Sequence, residues 1–191
     1  MLWKQFISVK RMKKICRIIK KSCGIDLVGQ LHVRPLFLIS LIYRSMIDAS
    51  DEGVMDQYIW NLGVKNGSVV DGLESTEEQI AILNQLPISE EYRQLKTIAK
   101  NIGSSRTKLE QMVKVYKQED ISTLFKKSKK MFAFSKELML YDRNLRFARR
   151  IDKIHRIEPS FFSFGAGHLG GRKGVLNRLK MMGYQVKSYK S

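Results

Sequence analysis

Residues 165–171 read Gly-Ala-Gly-His-Leu-Gly-Gly, and this segment constrains the fold more than any other in the chain. Glycine adopts backbone angles closed to other residues and lets neighbouring chain approach closely. A run this rich in it marks a tight turn, not the interior of a helix or strand. The turn has a strand-like segment before it, Ser160–Phe164, with aromatic residues at 161, 162 and 164. A short helix is predicted over Val175–Met182, and after Gly183 a second strand-like run over Tyr184–Tyr189. This order is a β-turn-α-β unit, and it makes an α/β or α+β fold the expectation. Gly165, Gly167 and Gly170 also satisfy the spacing GxGxxG. A dinucleotide site needs an acidic residue about 20 positions on to hold the ribose. Lys187–Ser191 occupies that region, which argues against the nucleotide reading.

Upstream, the pattern is mostly helical. Residues 1–22 alternate basic and apolar residues and are expected to form an amphipathic helix stopped near Gly24, packing one face on the domain or, as the alternative, lying on a membrane surface. Pro35 sits at a favourable first-turn position for a buried helix over Leu36–Met46. Another helix is predicted over Val54–Lys65, with Met55, Ile59 and Leu62 on one face. Ser68–Leu73, β-branched at Val69 and Val70, reads as a short buried strand. Ser75 or Thr76 is placed to cap the next helix, with Glu77 and Glu78 at its positive end. Asn101–Ser105 reads as a loop, and Thr107–Ile154 as two or three helices broken near Asp120 and Ser128. Leu138, Tyr141, Leu145, Ala148 and Ile151 recur at helical spacing as one apolar stripe. The expected architecture is a small sheet of the Val69, Phe162 and C-terminal strands, wrapped by several helices. Two divisions follow: a basic helix over residues 1–23, and a single domain over 24–191.

Lys+Arg 35 against Asp+Glu 18 gives a net charge of +17. Such a balance attracts nucleic acid, anionic lipid or acidic substrates. A nucleic-acid module built from Lys10–Lys21 and Arg143–Arg156 is the rival this charge raises, and it requires those cations to converge on one face. No apolar run reaches the roughly 18 residues of a membrane span. Residues 1–21 contain neither an uninterrupted apolar core nor a small-residue cleavage site. Compartment and oligomeric state stay open. Cys16 and Cys23 would lie about 10 Å apart along a helix, too far for a disulfide, and read as packing residues.

The chemistry-bearing residue of the glycine-rich turn is His168. Leaving a strand-like segment into the turn, its imidazole is placed to ligate a metal or move a proton, while Gly165 and Gly167 keep its approach unobstructed. By residue type alone, a packing histidine is an equal reading. Phe164-Gly-Ala-Gly-His-Leu-Gly-Gly, a short helix, and Met182-Gly-Tyr-Gln-Val together resemble the end of TraB/PrgY/GumN (Tiki-like) domains. Val54-Met-Asp-Gln-Tyr-Ile-Trp60 is similar to that family's helix opening with an aspartate. Val69-Val-Asp-Gly-Leu-Glu-Ser-Thr-Glu-Glu-Gln79 resembles its "LET-x-x-Q" step, and Tyr141-Asp-Arg-Asn144 its "RN" motif. The four segments fall in the family's order and correspond to the C-terminal part of its domain.

The resemblance implies an EreA/ChaN-like fold, here lacking the N-terminal strands, and a metal-dependent hydrolase, a protease in the Tiki branch. The implied cofactor is a divalent metal (Mn, Co or Zn), and the implied partner a peptide, cleaved or simply bound. Many relatives are extracytoplasmic. Carried over by motif, His168 matches the second GxxH histidine, Arg143 the "RN" arginine and Glu74 a recurring glutamate. The family's E-x-E pair does not occur in this sequence. Gly29–His32 is itself a GxxH, but it lies too close ahead of Asp56 to leave room for the carboxylate-bearing strand. His32 is therefore read as a coincidental match and a secondary metal candidate. An incomplete site is the expectation.

Overall fold

The structure, a computed structural model, describes residues 6–47, 54–131 and 133–189. The chain groups into two compact units, Met1–Asp51 with Asn84–Lys114, and Glu52–Leu83 with Val115–Ser191.

The first unit is built on α1 (Val9–Cys23), α2 (Pro35–Met46), α5 (Ile88–Lys100) and most of α6 (Ile102–Lys117). α1 buries Met12, Ile15, Cys16 and Ile19 on one face, the 3.6-residue spacing its sequence presents. It stops at Gly24, whose φ of 71° closes the helix with an N–H donated to the Lys20 carbonyl. The predicted start of this helix at residues 1–5 lies outside the described residues. Pro35 is the first residue of α2, as its fixed φ favours. Ile19, Leu27, Leu38, Ile42 and Leu95 are fully buried where α1, α2 and α5 meet. The Glu91 carboxylate, wholly buried, takes the Arg34 guanidinium and the Leu36 N–H (3.2 Å). A single α5 side chain thereby pairs a partly buried cation and satisfies an unbonded N–H in the first turn of α2. Cys16 and Cys23 are free thiols, Cys16 buried in the core. α6 begins at Ile102, so the loop expected over Asn101–Ser105 is a one-residue break at Asn101, φ −131° and ψ 45°.

The second unit holds α3 (Met55–Lys65), α4 (Thr76–Asn84) up to Leu83, α7 (Ile121–Met131), α8 (Asp142–His155) and α9 (Val175–Met181). α3 forms where predicted, yet Met55 and Leu62 are exposed and none of its residues is fully buried. Ser75 and Glu78 make a reciprocal capping box at the start of α4, Ser75 N–H to Glu78 Oε2 at 2.9 Å and Glu78 N–H to Ser75 Oγ at 3.2 Å. The predicted break near Asp120 is real, whereas Ser128 lies inside α7 and is buried.

The expected α/β architecture is not found. Among the described residues the fold is all-helical, with no strand and no sheet. Residues 68–72, 159–165 and 184–189 lie outside any helix, but no ladder joins them. The aromatic segment does alternate at 161–164: Phe161 is 82% exposed, while Phe162 and Phe164 turn inward. What they meet is a cluster of Phe147, Ile151 and Val175 on α8 and α9, not a neighbouring strand. Val69, 92% exposed, buries nothing. Alternation marks which side chains turn inward; a sheet also needs laterally paired backbone.

Candidate functional site

The glycine-rich segment packs against α7. A 3-10 turn, Ala166–His168, follows the extended aromatic segment, closed by His168 N–H to the Gly165 carbonyl at 2.9 Å. A Cβ on Gly167 would collide with the Ser128 hydroxyl and sit 3.1 Å from Ser128 Cβ. The small residue is what lets the turn seat on the helix. Gly171 takes a φ of 78°, in the region that favours glycine. The glycines thus serve close packing and turning.

This turn carries His168 into the interior, 9% exposed. Its Nδ1 lies 2.6 Å from Asn144 Oδ1. Asn144 is fully buried on α8, and its own amide donates to the Lys173 carbonyl at 2.8 Å. Because that carbonyl can only accept, the amide nitrogen is assigned to it and the amide oxygen to the histidine. The proton therefore sits on Nδ1, and Nε2 keeps its lone pair. Burial, and secondarily the charge of Arg143, push the imidazole down to about 4. His168 is neutral at physiological pH. Asn144 was within reach of the sequence reading, since it is half of the "RN" motif, but its neighbour Arg143 drew the assignment.

Arg143 and Glu74, singled out separately by motif, bind each other. The Arg143 guanidinium forks onto the Glu74 carboxylate, with Nε to Oε2 at 3.2 Å and Nη2 on Oε1. Arg146 Nη2 stands 3.8 Å from the same carboxylate. The Glu74 side chain is 4% exposed and both its oxygens are engaged, so it is not free as a base. The Phe147 ring borders both groups, 5.4 Å from the Arg143 guanidinium carbon and 5.4 Å from the His168 ring. A cleft of about 130 Å³, lined by Gln79, Ile82, Leu83, Met139 and Arg143, opens beside the ion pair.

Of the other cations in and just after α8, Arg150 and Arg156 are committed, while Arg149 is exposed. Arg150 donates to both Glu78 oxygens (2.8 and 2.5 Å) and to the Leu73 carbonyl. That pairing, with the Ser75 N–H, holds the Glu78 carboxyl down to about 2. Arg156 pairs with Asp152. The basic runs Lys10–Lys21 and Arg143–Arg156 lie in different compact units. His32 is exposed, in the first unit, beside the 3-10 turn Val28–Gln30; His168 lies in the second. His155 is exposed, its ring 5.6 Å from Tyr184.

A hydrolytic metal centre takes about three protein ligands and an open position. Nε2 of His168 is a suitable donor, but Glu74 is occupied by arginine. Among the described residues, no three His, Cys, Asp or Glu side chains gather as a metal set. These residues alone do not hold the metal that the resemblance implies. No helix is long and apolar enough to cross a membrane, among the described residues.

Comparison with known proteins follows the motifs. Metalloprotease TIKI2 of Danio rerio is 39% identical over 57 residues, covering 28% of this chain and 11% of the relative. The aligned part thus amounts to about a tenth of that protein's length. No solved structure matches the chain. The sequence model of the TraB/PrgY/gumN family matches residues 2–188, nearly the whole chain, and the protein belongs to the TraB/PrgY/gumN family.

Proposed function

We propose that the chain is a hydrolase-type domain acting on peptide or similar acyl bonds, to which His168 contributes a neutral Nε2 acceptor. The observation that carries this reading is the chain of hydrogen bonds from Lys173 through Asn144 to His168. It selects one tautomer and points the free lone pair away from the anchor, the arrangement metal-binding and catalytic imidazoles use. A value near 4 lies below the optimum for a general base at neutral pH. It suits a group that must stay unprotonated while it accepts a hydrogen bond. The Arg143–Glu74 pair contributes a fixed local field, and the cleft beside it takes an apolar substrate side chain against Ile82, Leu83 and Met139. The metalloprotease name of the zebrafish relative belongs to that protein; it supports a hydrolytic class here at the level of family.

The test is hydrolysis of a mixed-sequence peptide library, with Zn²⁺, Mn²⁺ or Co²⁺ supplied in separate assays. His168→Ala is expected to reduce turnover by about a hundredfold or more, and Asn144→Ala by about tenfold through loss of the tautomer. His32→Ala is expected to leave turnover unchanged. Unaltered turnover in His168→Ala would remove His168 from the chemistry. Absence of hydrolysis, with peptides still retained on the wild-type chain, would replace the reading with peptide binding alone.

A further inference from the structure

Arg143 and Arg150 of α8 are held by carboxylates, whereas a row of exposed cations on α1 has no such partner among the described residues. Lys10, Lys13, Lys14, Arg17 and Lys21 are all exposed. The salt bridge on this helix joins Lys20 to Asp26 at 2.8 Å. At 100° per residue, the five fall within one arc opposite Met12, Ile15 and Ile19, which face the core. No acidic residue interrupts the helix. The row runs about 16 Å from Lys10 to Lys21.

We propose that this face of α1 docks the protein on an anionic membrane surface. A straight helix presents its cations close to one plane, which suits a flat layer of headgroups. Polybasic segments are attracted to such a layer charge by charge. Among the described residues, α1 itself (Val9–Cys23) carries no aromatic ring on which a base could stack and no Asn or Gln to read a base edge, and the Phe6 ring ahead of it is already stacked on Tyr92, so the face offers little of what nucleic-acid surfaces add to charge. Exposed apolar residues stand at its leading end instead. Val9 is 49% exposed on the flank shared with Lys13, one turn on, and Phe6 is 43% exposed. Such residues enter the headgroup region when neighbouring lysines hold the helix on the surface. The apolar side of α1 stays in the core of its unit, so the helix need not leave the fold to bind.

The experiment is co-sedimentation of the full chain with phosphatidylcholine vesicles, with and without phosphatidylserine, and in parallel with single-stranded and duplex RNA oligonucleotides at the same salt. Phosphatidylserine-dependent binding is expected, falling as salt shortens the range of the attraction. At about fivefold per cation, the variant Lys10→Gln/Lys14→Gln/Arg17→Gln should bind about a hundredfold more weakly. Glutamine keeps the helix, and circular dichroism verifies it. An equal charge loss on α7, Lys126→Gln/Lys129→Gln/Lys130→Gln, is expected to change binding by less than about threefold. Val9→Ser should weaken vesicle binding and leave any RNA binding alone. Three results would each overturn the proposal: no phosphatidylserine-dependent binding, equal loss in the two triple variants, or tighter α1-dependent binding of RNA than of vesicles.

Discussion

His168 is a base kept neutral by its surroundings, and that has a thermodynamic consequence. Its ordinary value of 6.5 falls to about 4 in the fold, through burial first and Arg143 second. Between these values the unfolded chain binds a proton that the folded one rejects. The neutral imidazole is therefore fully accommodated above pH 6.5, and stability is lost as pH falls from there toward 4. Between pH 7 and pH 5 this single group should cost about 2 kcal/mol. Urea unfolding at the two pH values measures it. In His168→Gln that part of the decline should disappear, while the decline from the carboxylates, chiefly below pH 4.5, remains. At this scale the sequence was informative about identity: His168, Arg143 and Glu74 were all singled out by motif. Their partners were not legible, because hydrogen bonds such as Asn144 to the Lys173 carbonyl join residues that only the fold brings together.

Among the elements, the most specific contact is that of the glycine-rich turn with α7. Gly167 meets Ser128, and Gly170 lies where a Cβ would stand 2.7 Å from the Ile121 carbonyl oxygen. Gly167→Ala should destabilise the protein by about 2 kcal/mol through overpacking. Ser128→Gly should restore part of that loss in the double variant, so that the two changes are non-additive in thermal unfolding. Additive effects would mean that the turn and α7 are not coupled through this contact. The helical reading of α8 succeeded in place and partly failed in register. A π-helical turn at Glu137–Tyr141 leads into it, and it upsets a count made at 3.6 residues per turn. Leu140 is buried, while Leu138 and Tyr141, assigned to the apolar stripe, are only partly so; further on, Ala148 and Ile151 face inward as expected.

At the scale of the whole molecule the governing quantity is the net charge of +17. Cations outnumber the carboxylates that could pair with them, and their mutual repulsion opposes the compact state. Raising sodium chloride from about 0.05 M to about 0.5 M should shorten the range of that repulsion from more than 10 Å to less than 5 Å and raise the melting temperature by a few degrees. A falling melting temperature would show that the ion pairs of Glu74, Glu78 and Glu91 outweigh the repulsion. Composition alone made this repulsion visible. Which cations are left free was not visible: on α8 Arg143 and Arg150 are taken by carboxylates, whereas on α1 Lys10, Lys14 and Arg17 are not.

The sequence by itself determined the family, through four ordered motifs, and most helix positions, since caps and apolar periodicity are local properties. Gly24 ends α1 and Ser75 with Glu78 opens α4 for reasons contained within a few residues. It also marked Phe161, Phe162 and Phe164 as the aromatic residues of an extended segment. Only the tertiary structure decided what they face, and there the expected sheet gave way to helices. Alternation along a strand-like segment is a pattern of side chains, while a sheet is a pattern of hydrogen bonds between segments far apart in the chain. The same distinction separates His168 as a candidate from His168 as a neutral acceptor: the residue is local, but its proton is placed by Asn144, twenty-four positions away.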